Sequence, residues 1–265
     1  MDLYYSSSSF ECHKVRMMLE EKGLPCQLCH VDLVGASNLE PWFLHINPKG
    51  TVPVLVHGSS VVTDTNEILR FFDSIGQPMG GSIVDHDAAA TWLTRVAAWD
   101  EEALAYSKMS LSAAQSITRF RRRVCVERMA RNPDLVSAYG ALLARYQTLE
   151  ATIAAGHAAT TSLRQLEALL DEAERTLSNP NNVFLAGREA SIADVCFAPV
   201  LASVDRAGLS QKLLKTRPAL AEYNKRMTRR QSFRTAVVWP TSLVAKFANV
   251  PAMVALGCRR LSRRY

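Results

Sequence analysis

The stretch that decides the fold is Asn47-Pro48-Lys49-Gly50-Thr51-Val52-Pro53-Val54-Leu55. Pro53 stands directly before an apolar run with strand character, and a proline there is typical of a strand start, an edge strand or a cis peptide bond. A cis Val52–Pro53 bond would turn the backbone of Val52 outward and leave its N–H and C=O free to pair with an extended peptide ligand. The alternative is a simple loop that enters a strand, and this segment alone favours the loop.

Short strands and helices alternate on both sides of this segment. Periodicity and turn residues predict strands over residues 2–5, 27–32, 54–57 and 61–63, and helices over residues 12–22, 42–46 and 67–75. Gly23 stops the first of these helices. The order β-α-β-α-β-β-α predicts a small α/β domain with one sheet over residues 1–78.

The composition changes after Gly80-Gly81. Residues 88–177 are rich in Ala, Leu, Arg and Glu, which favour long helices, and contain no convincing strand. A last helical set follows from Ser191, which forms a capping-box pattern with Asp194. We therefore predict an all-helical domain over residues 86–235.

Residues 236–265 form a separate basic and apolar tail. From Arg217 onward, eleven Lys or Arg residues stand against one acid, whereas the rest of the chain carries 20 basic and 24 acidic residues. Pro240, Lys246 and Pro251 interrupt the apolar run, so a membrane span is not expected. Two interpretations have equal weight: peripheral attachment to an anionic membrane, or folding back over the helical domain. No nucleic-acid-binding motif accompanies the charge, so a nucleic-acid partner is not expected.

The six cysteines show no repeated metal spacing, so we expect no metal site. Cys26 and Cys29 form a C-x-x-C pattern, but a strand would hardly present both thiols together. The first residues lead directly into a strand and turn rather than a signal peptide. These features predict reduced thiols and a cytoplasmic location.

The polar run Ser6-Ser7-Ser8-Ser9-Phe10-Glu11 separates the first strand from the first helix. Ser8 and Glu11 fit a capping box, and a serine run before a helix is usually only a cap. The alternative is that Ser9 lies in the first turn. Unpaired N–H groups and the helix dipole would there favour an anion and lower the pKa of a bound thiol.

A third polar segment, Asp64-Thr65-Asn66-Glu67-Ile68-Leu69, precedes another helix. Asp64 and Thr65 are residue types that most often act only as caps. The same groups can bind an amino-acid head group, with its carboxylate on hydroxyl and N–H donors and its ammonium on Asp64.

Together, in this order and at these distances, the three segments resemble the thioredoxin-like domain of cytosolic glutathione transferases. NPKGTVPVL resembles the family's cis-proline loop, and DTNEIL stands where the family has Glu-Ser-x-Ala-Ile. FLAGREASIADVCFAPVL resembles its C-terminal capping box, and the likeness covers about residues 1–235. Within the family, the chain is most similar to the plant tetrachlorohydroquinone dehalogenase-like class, with a zeta-like loop. The resemblance implies an α/β thioredoxin-like domain followed by an all-α domain.

The resemblance also implies residue roles. Ser9 stands where serine-type members place the hydroxyl that hydrogen-bonds the glutathione sulfur, and Tyr5 is the second candidate for that role. The implied glutathione-binding residues are Lys49, Thr51, Val52, Pro53, Asp64 and Thr65. Val52 would pair with the cysteinyl part, Asp64 and Thr65 would hold the γ-glutamyl group, and Lys49 would reach the glycine carboxylate. Thr51 replaces a lysine found in many relatives, which weakens the assignment at the glycine end.

The activity implied is thiol activation for attack on hydrophobic electrophiles, with glutathione peroxidase activity as a further reaction. Glutathione is the implied co-substrate, a homodimer the implied assembly and detoxification the implied role. Helix positions suggest an electrophile pocket of Phe10, Trp92, Trp99 and Met109. Two alternatives stay open: a non-catalytic glutathione- or partner-binding module, and a glutathione-dependent dehalogenase or reductase that uses Cys12. A cysteine at a position such as Cys12 is more often a small core residue than a redox thiol.

Overall fold

A four-stranded mixed sheet with three helices forms the N-terminal part of the computed structural model, which describes residues 1–238. Its elements are β1 (Asp2–Tyr5), α1 (Phe10–Lys22), β2 (Gln27–His30), α2 (Pro41–Ile46), β3 (Val54–His57), β4 (Ser60–Val62) and α3 (Thr65–Ser74). The strand order is β2-β1-β3-β4, with β1 parallel to β2 and antiparallel to β3. The predicted element order and α/β fold class are therefore confirmed.

The two faces of this sheet bury different side chains. Leu3 and Leu55 are paired in register and lie fully buried, in one cluster with the apolar faces of α1 and α3. Val54, next along β3, packs instead with Phe43 of α2 on the opposite face. Successive strand residues point to opposite faces, so both sides of this short sheet are covered by helices.

The rest of the described chain is helical. Its helices are α4 (His86–Ala97), α5 (Glu101–Ser107), α6 (Leu111–Met129), α7 (Val136–Ala155), α8 (His157–Leu177), α9 (Ile192–Arg206), α10 (Ser210–Leu214), α11 (Pro218–Arg229) and α12 (Gln231–Ala236). Among residues 1–238, no helix is long and apolar enough to cross a membrane. Residues 239–265 of the predicted tail lie outside the described part of the chain. The two interpretations of the tail, membrane attachment and folding back over the helical domain, therefore stay predictions.

Helix α9 runs through the centre of the helical domain. The predicted capping box is present: Ser191 caps α9, and the Asp194 carboxylate accepts the Ser191 N–H at 2.8 Å. Asp194 also accepts hydrogen bonds from the Leu185 N–H and from the Tyr223 hydroxyl, both at 3.0 Å. This buried carboxylate therefore ties the start of α9 to the preceding loop and to α11.

The two domains share packing along α1. One large apolar cluster includes side chains of α1, α3, α4 and α9. At the edge of this contact, Arg16 donates to the carbonyl oxygens of Thr235 and Ala236, both at 2.9 Å. Arg230 forms an ion pair with Glu21 at 2.6 Å. These contacts set the position of the middle and the C-terminal end of α1 relative to the helical domain.

The five cysteines in the described residues are free thiols. Cys26 precedes β2 and its Sγ atom lies 3.3 Å from the Met1 carbonyl oxygen, whereas Cys29 lies within the strand. Within residues 1–238, no three His, Cys, Asp or Glu side chains are grouped so that they could hold a metal ion.

Candidate functional site

A cleft of about 550 Å³ lies between the two domains. Its N-terminal wall includes residues 8–11, 50–52 and 63–66, which belong to all three polar segments that the sequence singles out. Its helical wall comes from the α4–α5 connection and from side chains of α5, α6 and α7. The volume lies within the range of ordinary small-molecule sites.

Ser9 is the N-cap of α1 and lines this cleft. Its backbone is extended, and its Oγ atom accepts a hydrogen bond from the Cys12 N–H at 3.3 Å. The predicted Ser8–Glu11 capping box is wrong, because the helix begins one residue later than that pattern requires. Glu11 instead forms an ion pair with Lys14 at 2.7 Å. The capping residue and the candidate thiol-binding residue are therefore the same serine.

A hydroxyl that accepts one hydrogen bond can still donate its own proton. Ser9 can therefore cap α1 and donate to a ligand atom in the cleft. The first N–H groups of the helix and its dipole favour negative charge at this place. The nearby Glu11 carboxylate opposes that preference, but its ion pair with Lys14 weakens the opposition.

Val52 lines the cleft, and its side chain packs in the buried cluster that includes Cys12 and Val54. The Val52–Pro53 peptide bond is cis, as the family resemblance implies and in place of the simple loop that the segment alone favours. Among the described residues, no hydrogen-bond partner is found for the N–H or C=O of Val52. Asn47 holds the loop before it by donating to the Thr51 carbonyl oxygen at 2.8 Å.

Asp64 caps α3 at the same cleft. Its Oδ1 atom accepts the Glu67 N–H at 2.9 Å, and Thr65 is the first residue of the helix. Both residues line the cleft and remain partly or fully exposed. Capping engages one carboxylate oxygen, so the negative charge is still available to an ammonium group.

Phe10 and Trp99 meet across the domain boundary. Their rings are perpendicular, with centroids 5.5 Å apart, and both residues line the cleft. The Trp99 indole N–H donates to Ser162 Oγ at 3.1 Å, which fixes the ring. The pair supplies a rigid aromatic surface close to Ser9.

Four predicted site residues are absent from the cleft lining in the described structure: Lys49, Pro53, Trp92 and Met109. Trp92 is only 1% exposed and packs against Phe197, because its position on α4 faces the core. Pro53 is buried behind Val52, and Lys49 points to solvent. Met109 lies in the turn between α5 and α6.

Two other candidates for thiol chemistry also lie away from the cleft. Tyr5 contacts Arg16 and His30 by its ring, so its phenol is not in the cleft lining. Cys12 is fully buried and receives the Ser6 N–H at 3.4 Å. Burial raises the pKa of the Cys12 thiol to about 12, so at neutral pH it is a protonated core residue and a poor nucleophile.

Several polar residues of the helical wall were not predicted from the sequence. They are Glu101 and Tyr106 on α5, Arg121 on α6, and Arg145 and Tyr146 on α7. Burial raises the pKa of Tyr106, so its phenol keeps its proton. No sequence signal marks these residues, because they are spread over three helices whose packing alone brings them together.

Comparisons with known proteins match both domains. The family described as "Glutathione S-transferase, N-terminal domain" matches residues 8–75, and "Glutathione S-transferase, C-terminal domain" matches residues 150–226. The chain is 30% identical to "Glutathione S-transferase TCHQD" of Arabidopsis thaliana, with 100% of both chains covered. It is 29% identical to "Tetrachloro-P-hydroquinone reductive dehalogenase" of Sphingobium chlorophenolicum, over 91% of this chain and 96% of that protein.

The fold is also similar to that of a solved maleylacetoacetate isomerase from Methylobacterium extorquens AM1, whose structure contains bound malonate and GSH. The TM-score is 0.58 at 20% identity, covering 89% of this chain and 95% of that one.

Proposed function

Because the chain belongs to the glutathione transferase family, we propose that it is a transferase in which Ser9 activates the glutathione thiol for attack on hydrophobic electrophiles. One observation carries the proposal. Ser9, Val52 and the Asp64–Thr65 pair, from three separate segments, line one interdomain cleft. This family uses glutathione, a tripeptide whose sulfur, cysteinyl backbone and γ-glutamyl group match those three positions in turn.

Glutathione would lie extended along the N-terminal wall. The γ-glutamyl ammonium pairs with Asp64, and the γ-glutamyl carboxylate accepts from the Thr65 hydroxyl and the first N–H groups of α3. The cysteinyl N–H and C=O pair with the Val52 backbone. This binding mode directs the sulfur toward the N-terminus of α1 and Ser9. Residues 1–78 thus bind glutathione, and residues 86–235 bind the electrophile.

Ser9 acts on the sulfur by donating its hydroxyl proton while it still accepts the Cys12 N–H. A hydrogen bond to the charged form favours the thiolate over the thiol, and each unit by which the pKa falls corresponds to about 1.4 kcal/mol. The thiol proton leaves to solvent. The thiolate then forms a carbon–sulfur bond with the electrophile, and a leaving group departs with its bonding electron pair.

The aromatic pair Phe10–Trp99 suits a flat apolar electrophile held beside the sulfur. An organic hydroperoxide is a second electrophile for the same thiolate. Attack on its distal oxygen releases an alcohol and leaves a glutathione sulfenic acid, which a second glutathione converts to the disulfide and water. Both reactions need only the activated thiolate, so the cleft supports transferase and peroxidase activity together.

Turnover of an aryl halide and of an organic hydroperoxide tests the proposal in the parent protein, Ser9→Ala and Ser8→Ala. Ser8 is the matched control, because it lines the same cleft without capping α1. Ser9→Ala should lose turnover and keep glutathione binding, and Ser8→Ala should keep both. Binding without turnover in the parent would instead indicate a non-catalytic binding module.

A further inference from the structure

Arg121 is a cation in the cleft that forms no ion pair with a carboxylate of the described residues. Its Nη2 atom donates to the Leu33 carbonyl oxygen at 2.8 Å, and its Nη1 atom donates to the Tyr146 hydroxyl at 3.3 Å. On the same helix, Arg122 pairs with Glu150 at 2.9 Å and Arg128 pairs with Glu40. Among the ion pairs of residues 1–238, none includes Arg121.

This charge is sheltered, and the nearby Glu102 carboxylate acts on it without forming an ion pair with it. Burial lowers the pKa of Arg121, but the Tyr146 and Tyr106 phenols and the Glu102 carboxylate together raise it by more, so the guanidinium stays charged. Guanidinium groups carry five N–H donors in a fixed fork, and the two bonds to neutral oxygens leave donors for a ligand. A sheltered charge is stabilised by an opposite charge, and the cleft is where a ligand could supply one.

The position of Arg121 along the cleft identifies which part of a ligand it meets. Gly50 packs closely against Leu142, and Leu142 lies one helical turn before Tyr146 on α7. Helix α7 therefore contacts the loop at Gly50 through Leu142 and, one turn later, carries Tyr146, the partner of Arg121. Arg121 thus lies at the Gly50 end of the cleft. Asp64 lies at the start of α3, in a segment of the lining separate from the Gly50 loop.

A buried polar atom lies at this same end of the cleft. Asn38 lines the cleft, is 3% exposed and donates an Nδ2 proton to the Gly50 carbonyl oxygen at 2.6 Å. That bond fixes the amide orientation, and the Oδ1 atom has no hydrogen-bond partner within the described structure. Buried acceptors are nearly always paired, so this end of the cleft lacks an N–H donor as well as a negative charge.

We propose that Arg121, with the Tyr146 hydroxyl beside it, binds the glycine carboxylate of glutathione. This inference rests on the proposed function and extends it to a residue of the helical domain. Asn38 Oδ1 needs an N–H donor, and Arg121 needs a negative charge. The glycine end of glutathione supplies both, because its peptide N–H is followed by a carboxylate. Arg121 then takes the role that the sequence suggests for Lys49, which is exposed and outside the cleft lining.

The test compares glutathione with an analogue whose glycine carboxylate is replaced by a carboxamide of nearly the same shape. Calorimetry measures the binding of each to the parent, to Arg121→Gln and to Arg122→Gln. The parent should bind glutathione about 10- to 100-fold more tightly than the amide, as expected for a charge-assisted hydrogen bond. Arg121→Gln should bind both equally, at about the parent's affinity for the amide, and Arg122→Gln should discriminate as the parent does.

The comparison of the two ligands in the parent protein is by itself enough to overturn the inference. The test therefore does not depend on whether the variants fold well. Equal binding of glutathione and the amide by the parent would show that no cation recognises the glycine carboxylate. If Arg121→Gln weakens both ligands by the same factor, Arg121 only supports the fold. If the parent binds neither ligand, the proposed function fails as well, which separates the two failures.

Discussion

The Oγ atom of Ser9 accepts the backbone N–H of Cys12 at 3.3 Å, and the same hydroxyl lines the cleft between the domains. A structural cap and a ligand-facing donor are therefore one group. The consequence is that a simple truncation of Ser9 removes two functions at once, and substitutions must be chosen to separate them.

Ser9→Asp and Ser9→Ala make that separation. Aspartate is as good an N-cap as serine, whereas alanine should lower the free energy of unfolding by about 1 kcal/mol. Ionised aspartate has no proton to donate and repels a thiolate. We expect chemical denaturation to show near-parental stability for Ser9→Asp, and turnover to be lost in both variants. An active Ser9→Asp protein would mean that the hydroxyl is not the thiol-binding donor.

Trp99 and Trp92 allow a comparison of two tryptophans, of which one lines the cleft and the other does not. Trp99 packs against Phe10 and, although only 6% exposed, lines the cleft, whereas Trp92 packs against Phe197 away from the lining. Trp99→Leu should raise the KM for an aryl halide several-fold while glutathione affinity stays the same. Trp92→Leu should lower stability by about 3 kcal/mol, as for other large-to-small core changes, with little effect on that KM. Steady-state kinetics and denaturation check both, and the reverse pattern would contradict the placement of the electrophile.

His13 links pH to the loop that presents Ser9. It is fully buried, its Nε2 atom lies 2.8 Å from the Ser7 carbonyl oxygen, and burial lowers its pKa to about 4. The unfolded chain takes up this proton near pH 6.5, so the folded state loses stability as the pH falls from about 6.5 to about 4. The loss should reach roughly 3 kcal/mol.

Denaturation over that pH range measures the effect in the parent, His13→Gln and His45→Gln. His45 is the control because its side chain is 58% exposed. His13→Gln should flatten the acid limb and His45→Gln should not. An unchanged acid limb in His13→Gln would assign the loss to other groups.

The buried carboxylate of Asp194 should be among the most sensitive positions of the helical domain. It accepts hydrogen bonds from Leu185, Ser191 and Tyr223. Asp194→Ala leaves several buried donors unpaired and should cost more than about 3 kcal/mol of stability. Tyr223→Phe removes one of these bonds and should cost only about 1–2 kcal/mol. Thermal and chemical denaturation compare the two, and equal losses would argue against the shared network.

The sequence predicted the order of elements and the Ser191–Asp194 capping box, because both depend on local residues. The cis Val52–Pro53 bond followed only from the family resemblance, since the local segment by itself favoured a simple loop. The family is confirmed by matches to both of its domains. The Ser8–Glu11 pattern placed the N-cap of α1 one residue early, since a run of four serines offers several caps with nearly equal propensity.

The helical wall of the cleft was not predictable in the same way. Arg121 and Tyr146 are 25 residues apart on two helices, and neither position differs locally from an ordinary helix surface. Trp92 and Trp99 are both aromatic residues near one helix, and only the tertiary packing decides that one faces the core and the other faces the cleft.

The measurement that tests the central claim most directly is the pKa of the glutathione thiol when bound, followed by ultraviolet absorbance of the thiolate during a pH titration. A free thiol of this kind titrates near pH 8.5. In the parent the bound thiol should titrate at least about one unit lower, and in Ser9→Ala it should return toward the free value while glutathione still binds. The same bound pKa in both proteins would contradict the role of Ser9.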